Sequence, residues 1–187
     1  MKIIVISNKN TEPYEDLYTP LSYEGFNAAD KLLDDKLLQS VAIKGIDTIY
    51  SAPSICCLQT IYPFCERHNL NVCIENAFYK KLDSLHFNFY NFRYTINDIE
   101  NHIPYLGKII DDNYSSSIST SNISFCDDES GFNNRITAFL YSLVKESKNN
   151  DKTYIINTHK CVSDKIKNIV TNKLNENIYK HTNIHFL

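Results

Sequence analysis

The chain has 187 residues, enough for one α/β domain with a substantial core. Its 43% hydrophobic content is ordinary for a globular protein, and a formal net charge of −3 gives no electrostatic reason to bind nucleic acid or acidic membranes. No apolar run approaches the roughly 20 residues of a membrane span, and the apolar opening from Ile3 to Ser7 is too short for a secretory signal.

A cytoplasmic protein is therefore expected, with reduced thiols. The six cysteines (Cys56, Cys57, Cys65, Cys73, Cys126 and Cys161) include no CxxC pair. Adjacent Cys56 and Cys57 make poor metal-ligand spacing, so no metal is expected and several cysteines read as core fillers. His68, His86, His102, His181 and His185 share no metal spacing either. Enrichment in Asn, Ile, Lys and Tyr points to an AT-rich genome and says nothing about chemistry.

In chain order, Lys2–Ser7 is a continuous apolar run of strand length. Ser22 is placed to cap a helix whose apolar positions Phe26, Ala29, Leu33 and Leu37 fall near one face. Ile46–Ser51 reads as the next strand. Pro53 then opens a helix over about Ser54 to His68, because proline is tolerated in a first helical turn. Asn71–Glu75 alternates like a strand. Phe132, Ile136, Phe139, Leu140, Leu143 and Val144 mark an amphipathic helix. Thr153–Asn157 is a strand, followed by a helix with Val162, Ile166, Ile169 and Val170 inward, and Thr182–Leu187 reads as a short last strand.

Strands alternating with helices predict βαβ units, a mostly parallel sheet and a three-layer α/β/α sandwich over residues 1–187. Residues 77–128 break the rhythm and read as an insertion or lid near the mouth of a pocket. Within it, the aromatic stretch 86–94 is either a packing segment or a partner surface. The Ser/Thr tract 113–124 is either a solvated loop or a phosphorylation target.

Several segments, in order, resemble the histidine phosphatase superfamily of phosphoglycerate-mutase-like proteins. Family members begin with a strand ending in R-H-G-x-T, and here the strand ends in Ser7-Asn8-Lys9-Asn10-Thr11. A proline-leucine-threonine turn with a glycine opens the family's first helix, and here Pro20, Leu21, Ser22, Gly25 and Ala28 fall in those places. The next signature, S-S-P-x-x-R-A-x-Q-T, is matched by Ser51, Pro53, Gln59 and Thr60. A helix carrying E-S and a later Arg precedes a strand ending in T/S-H-G, and here Glu129, Ser130 and Arg135 precede His159. The matches cover about residues 1–82 and 127–175.

In that family, as the resemblance implies, the first His attacks phosphorus, two arginines and a second His surround the phosphate, and a carboxylate protonates the leaving oxygen. Guanidinium forks match phosphate oxygens in bidentate geometry, and their charge stabilises the transition state. Position by position, that machinery is missing here. The nucleophile falls on Asn8, whose amide nitrogen has no free lone pair with which to attack. The preceding Arg falls on Ser7, the second-signature Arg on Cys56, and the carboxylate on Lys80. His159 alone keeps its identity, and the glycine after it is Lys160.

The expectation is thus a degenerate pocket at the carboxyl ends of the strands, with no cofactor, in a protein retained for protein contacts, self-association or ligand binding. His159, Thr11, Lys9 and Lys160 are the candidate ligand contacts. Lys9, Lys80 and Lys160 are candidates to replace the lost positive charge, or else ordinary surface lysines. Cys56 reads as a pocket-wall residue, with a nucleophilic thiol as the alternative. The rival expectation is a divergent phosphatase or phosphotransferase with a site rebuilt around His159.

Overall fold

The computed structural model describes residues 1–8, 19–81, 103–119, 128–147, 151–173 and 182–187. Five strands form one sheet: β1 (Lys2–Ser7), β2 (Thr48–Ser51), β3 (Val72–Ile74), β4 (Thr153–Thr158) and β5 (Asn183–Phe186). Their order is β3-β2-β4-β1-β5, and every pairing is parallel. A parallel sheet needs crossovers that cover both faces, which is why β1 and β4 are apolar runs rather than alternating ones.

The two faces separate cleanly along β1. Ile4 and Ile6 pack with Leu38 and Val41 of α2 (Lys36–Lys44) and Leu58, Ile61 and Phe64 of α3 (Ile55–His68). Ile3 and Val5 face the opposite layer. There they meet Phe132, Ile136 and Phe139 of α5 (Glu129–Glu146) and Val162 and Ile166 of α6 (Lys160–Lys173). The result is the expected three-layer α/β/α sandwich. Among the described residues no helix is long and apolar enough to cross a membrane.

One expected helix divides in two. α1 (Tyr23–Lys31) starts at Ser22, whose hydroxyl accepts from the Gly25 amide. It ends in a 3₁₀ turn at Leu32–Asp34, and Asp35 then caps α2 by accepting from Leu37 and Leu38. An Asp in the extended region satisfies two free amides of a new helix, which outweighs continuation of the old one. The buried face of α1 is Gly25 and Ala29, and Phe26 on the expected apolar face is 40% exposed.

The expected insertion contributes to the core where it is described. A one-turn helix, α4 (Pro104–Gly107), brings Leu106, Ile109 and Ile110 into the cluster beneath α3, and Ile110 bridges to Val72 of β3. Residues 113–119 of the polar tract run on from there. The aromatic stretch 86–94 and residues 120–127 lie outside the described residues.

Candidate functional site

Parallel strands bring their carboxyl ends to one edge. Ser7 at the end of β1 is in register with Thr158 of β4, and Ser51 of β2 with Asn157. The Asn8 amide donates to the Thr158 carbonyl at 3.1 Å, so Asn8 and His159 leave the sheet side by side. α3 begins beneath them after Ser54, whose extended backbone makes it the N-cap. Its first turn therefore presents Cys56 and Cys57 to the same edge. The sulfurs of Cys56 and Cys57 and an imidazole nitrogen of His159 all lie within 4.8 Å of one another.

Every member of this group is neutral or weakly polar, and almost all of it is buried. Asn8 is 8% exposed, and the Cys57 thiol donates to its Oδ1 at 3.9 Å. The Ser54 hydroxyl lies 3.6 Å from the Cys56 sulfur. The Cys57 thiol beside it holds the Cys56 thiol below its ordinary range; Ser54 and the charge of Lys80 act the same way, and burial opposes them. Burial pushes the Cys57 thiol well up, and Cys56 pushes it further, so Cys57 keeps its proton. The Cys57 proton thus has two acceptors within reach, Asn8 and the Cys56 sulfur. His159 is pushed down to about 3, by burial first and the charge of Lys80 second. Its imidazole is neutral near pH 7, and its Nε2 is buried without a hydrogen-bond partner among the described residues.

A ring of buried polar residues holds this edge together. The Asn157 Nδ2 donates to the Ser51 hydroxyl at 3.0 Å and to the Cys57 carbonyl at 2.6 Å, tying β4 to β2 and to α3. The carboxylate of Glu75, just after β3, accepts from the Ala77 amide at 2.8 Å, Ser116 hydroxyl at 2.8 Å, Tyr114 hydroxyl at 2.6 Å and Ser117 amide at 3.0 Å. Burial first, then the bond to Glu75, pushes the Tyr114 phenol up. Arg135 donates to the carbonyls of Ala77 at 2.6 Å and Lys80 at 3.3 Å, with its guanidinium 4.9 Å from the Phe132 ring. Glu75 and Arg135 together fix the segment that carries Lys80.

The matched motif residues do structural work. The Gln59 Oε1 accepts from the Leu21 amide at 2.8 Å, and its Nε2 donates to the Tyr105 hydroxyl at 3.1 Å. One matched position thus clamps another, together with α4. Thr60 donates back to the Cys56 carbonyl at 2.7 Å within α3. Glu129 is a surface carboxylate paired with Lys81 at 3.0 Å and Lys165 at 2.9 Å.

Of the residues expected at the pocket, Asn8, Cys56, Lys80 and His159 converge. Ser7 turns its hydroxyl toward the Leu187 carbonyl at 3.5 Å, on the β5 side. Lys160 is exposed and pairs with Asp164 along its own helix. Lys9 and Thr11 lie outside the described residues. Cys57, Glu75 and Asn157 were not anticipated as a group. A Glu between an apolar β3 and an Asn-Ala turn was the available signal for the second, since a carboxylate there must find donors. An Asn inside the YIINT strand was the signal for the third.

No family model matches the sequence, and no curated protein sequence matches it. Solved structures do resemble the fold. The ecdysone phosphate phosphatase of Bombix mori in complex with tungstate superposes with a TM-score of 0.61 at 15% identity, over 86% of this chain. A putative α-ribazole-5'-P phosphatase from Escherichia coli gives 0.52 at 17% identity, over 89% of this chain and 78% of its own. Mycobacterial hydrolase 2 gives 0.51 at 12% identity, over 90% of this chain and 71% of its own. The chain spans 59% of the length of the silkworm structure. The likeness establishes a phosphoglycerate-mutase-like histidine-phosphatase fold.

Proposed function

We propose that this histidine-phosphatase fold has lost phosphoryl transfer and is retained to bind a protein partner or a small ligand. The observation that carries the reading is Asn8. It stands buried at the end of β1, beside His159, with its side-chain oxygen accepting from Cys57. An amide there offers no nucleophilic lone pair, and loss of covalent catalysis lowers the rate by several powers of ten, on the order of several kcal/mol of barrier.

The electrostatics point the same way. Arg135 is committed to backbone carbonyls of the Ala77–Lys80 segment. Arg67 lies in the last turn of α3, whereas Cys56 lies in its first. At 1.5 Å per residue that separation is about 16 Å. Each hydrogen bond to a charged group contributes roughly 1.5–3 kcal/mol. Among the described residues no guanidinium stands free at this edge, and the lack of two such groups forfeits several kcal/mol of phosphate affinity. The matched positions that persist, Leu21, Ser22, Gln59 and Thr60, hold the scaffold and need no catalysis to explain them.

The test is a screen of generic phosphate esters with the wild type beside a Ser7→Arg, Asn8→His, Cys56→Arg variant. No turnover by the wild type, with gain in the variant, is the expected result. Metal-independent hydrolysis by the wild type, abolished by His159→Ala, would refute the reading. That outcome would instead favour a rebuilt phosphatase, whose supporting observation is the lowered Cys56 thiol near Lys80 and a neutral His159 base.

A further inference from the structure

We propose that Cys56, Cys57 and His159 form a binding site for a thiophilic d¹⁰ cation, zinc(II) in the first instance. The inference goes beyond the loss of phosphoryl transfer and does not depend on it, since it needs only the three donor atoms.

Those atoms come from two separate elements, the first turn of α3 and the residue just after β4. They already lie within 4.8 Å of one another. In a tetrahedral zinc site with Zn–S near 2.3 Å and Zn–N near 2.0–2.1 Å, donors stand roughly 3.6–3.8 Å apart. A cation therefore draws the donors together by at most about 1.2 Å. Two thiols and an imidazole are the donor set that selects zinc(II) or copper(I) over magnesium or calcium.

A second observation points to a ligand. The Nε2 of His159 is sealed from solvent and has no hydrogen-bond partner among the described residues. A histidine serving only to fill a wall would be expected to satisfy that nitrogen. The start of the helix also favours a thiolate at Cys56, while Cys57 gives up its proton only to the cation. Both cysteines sit at the amino-terminal end of α3, where the helix dipole favours negative charge, and the Ser54 hydroxyl is within reach of the Cys56 sulfur. The Cys57 carbonyl is anchored by Asn157, which sets the turn from which its sulfur projects.

Binding of zinc(II) releases one proton from each thiol to water and forms two Zn–S bonds and one Zn–N bond. The two thiolates balance the charge of the ion, leaving a neutral buried centre. Asn8 Oδ1 lies 3.9 Å from the Cys57 sulfur, beside the same group. An open fourth position is the arrangement that accepts water or an exogenous ligand.

The test uses the full chain, reduced with a phosphine and freed of metal by chelation, then titrated with cobalt(II), zinc(II) and copper(I). One equivalent of cobalt(II) should bind with thiolate-to-metal charge-transfer bands and the intense visible bands of tetrahedral geometry, and zinc(II) should displace it. Cys56→Ser, Cys57→Ser and His159→Gln should each lose the bands or weaken zinc(II) binding at least tenfold, while Cys161→Ser retains both. Circular dichroism and the thermal midpoint of each variant separate lost binding from lost folding, and zinc(II) should raise the midpoint of the wild type and of Cys161→Ser but not of the three ligand variants. Stoichiometric binding of copper(I) but not zinc(II), lost in the same three variants, supports the site with the other d¹⁰ ion. The proposal is overturned if no metal binds the folded wild type stoichiometrically. It is equally overturned if binding survives in the three ligand variants, or if Cys161→Ser abolishes it. None of these readouts uses phosphate turnover, so this proposal and the loss of phosphoryl transfer fail separately.

Discussion

Glu75→Gln tests the frame that holds the pocket wall. The carboxylate is fully buried and accepts four hydrogen bonds, two on each oxygen. On one oxygen the donors are the Ala77 amide and the Ser116 hydroxyl, and on the other the Ser117 amide and the Tyr114 hydroxyl. Hydroxyls can rotate to accept, but backbone amides cannot. Whichever oxygen becomes the NH₂ group, one backbone N–H then faces another donor. Removing one bond to a charged acceptor costs roughly 1.5–3 kcal/mol, and the stranded amide adds to it. Relief from burying a charge offsets part of this. The four-fold satisfaction of the native carboxylate limits that relief, so a net loss of about 2–3 kcal/mol is expected. With a urea slope of about 2 kcal/mol/M, the midpoint should fall by roughly 1–1.5 M. The chain has no Trp, so far-ultraviolet circular dichroism is the suitable probe. A midpoint within about 0.25 M of the wild type, equivalent to about 0.5 kcal/mol, would refute the account of Glu75 as the organiser of the 113–117 strap.

Three further outcomes follow from the same geometry. Gln59→Leu strands the Leu21 amide and releases the Tyr105 hydroxyl; about 1–3 kcal/mol should be lost, with amide exchange at Leu21 rising more than in the β1 core. Asn157→Asp removes both donors and sets a carboxylate against the Cys57 carbonyl, so equilibrium urea unfolding at pH 7 should show a loss of about 3–5 kcal/mol. The third outcome concerns pH, in metal-free protein. His159 is pushed from 6.5 to about 3 in the fold, by burial first and Lys80 second. As pH falls below 6.5 the unfolded chain takes up this proton while the folded chain does not, so stability drops until pH nears 3. Between pH 7.5 and 5 the loss is about 2 kcal/mol, from 1.36 kcal/mol per unit of pKa difference. His159→Gln should lose about that much less over the same range, and parallel pH profiles would sink the assignment.

The architecture was legible because its signals are strong and local. β1 and β4 are apolar runs buried on both faces, which is what a central parallel strand requires. Phe132, Ile136, Phe139, Leu140, Leu143 and Val144 mark α5 because they are the stripe it buries. The unbroken helix from Ser22 to Leu37 failed for an equally local reason. Asp35 competes for the next helix as its cap, and periodicity alone carries no such boundary. α1 then packs through Gly25 and Ala29, small residues that let it approach α3, so hydrophobicity marked the wrong face at Phe26. At the site, Asn8, Cys56, Lys80 and His159 could be named because each falls on a motif position. Cys57 could not be paired with His159 from spacing along the chain, since the two meet only through the register of β2 and β4 above the start of α3. Glu75 and Asn157 escaped for a related reason. A buried polar residue declares itself only by the donors and acceptors that the tertiary fold brings to it.

The same geometry separates the residues that hold the fold from those at the edge where the candidate site stands. Gln59 and Ser22 satisfy backbone amides of the scaffold, so losing either strands an amide or weakens a helix start. Asn8, at the end of β1, and Cys56, in the first turn of α3, meet other side chains, Cys57 and Ser54. At Cys56, where the resemblance would give an arginine, a thiol offers a donor atom in place of a cation, and Lys80 is a positive charge that acts on this group. The proposed loss of phosphoryl transfer and the proposed cation site share one residue, Cys56. A Cys56→Arg chain should accordingly bind phosphate more tightly than the wild type and zinc(II) less tightly, read by calorimetric titration with each ion. A variant that gained the first without losing the second would separate the two and show that the cation does not use this edge of the sheet.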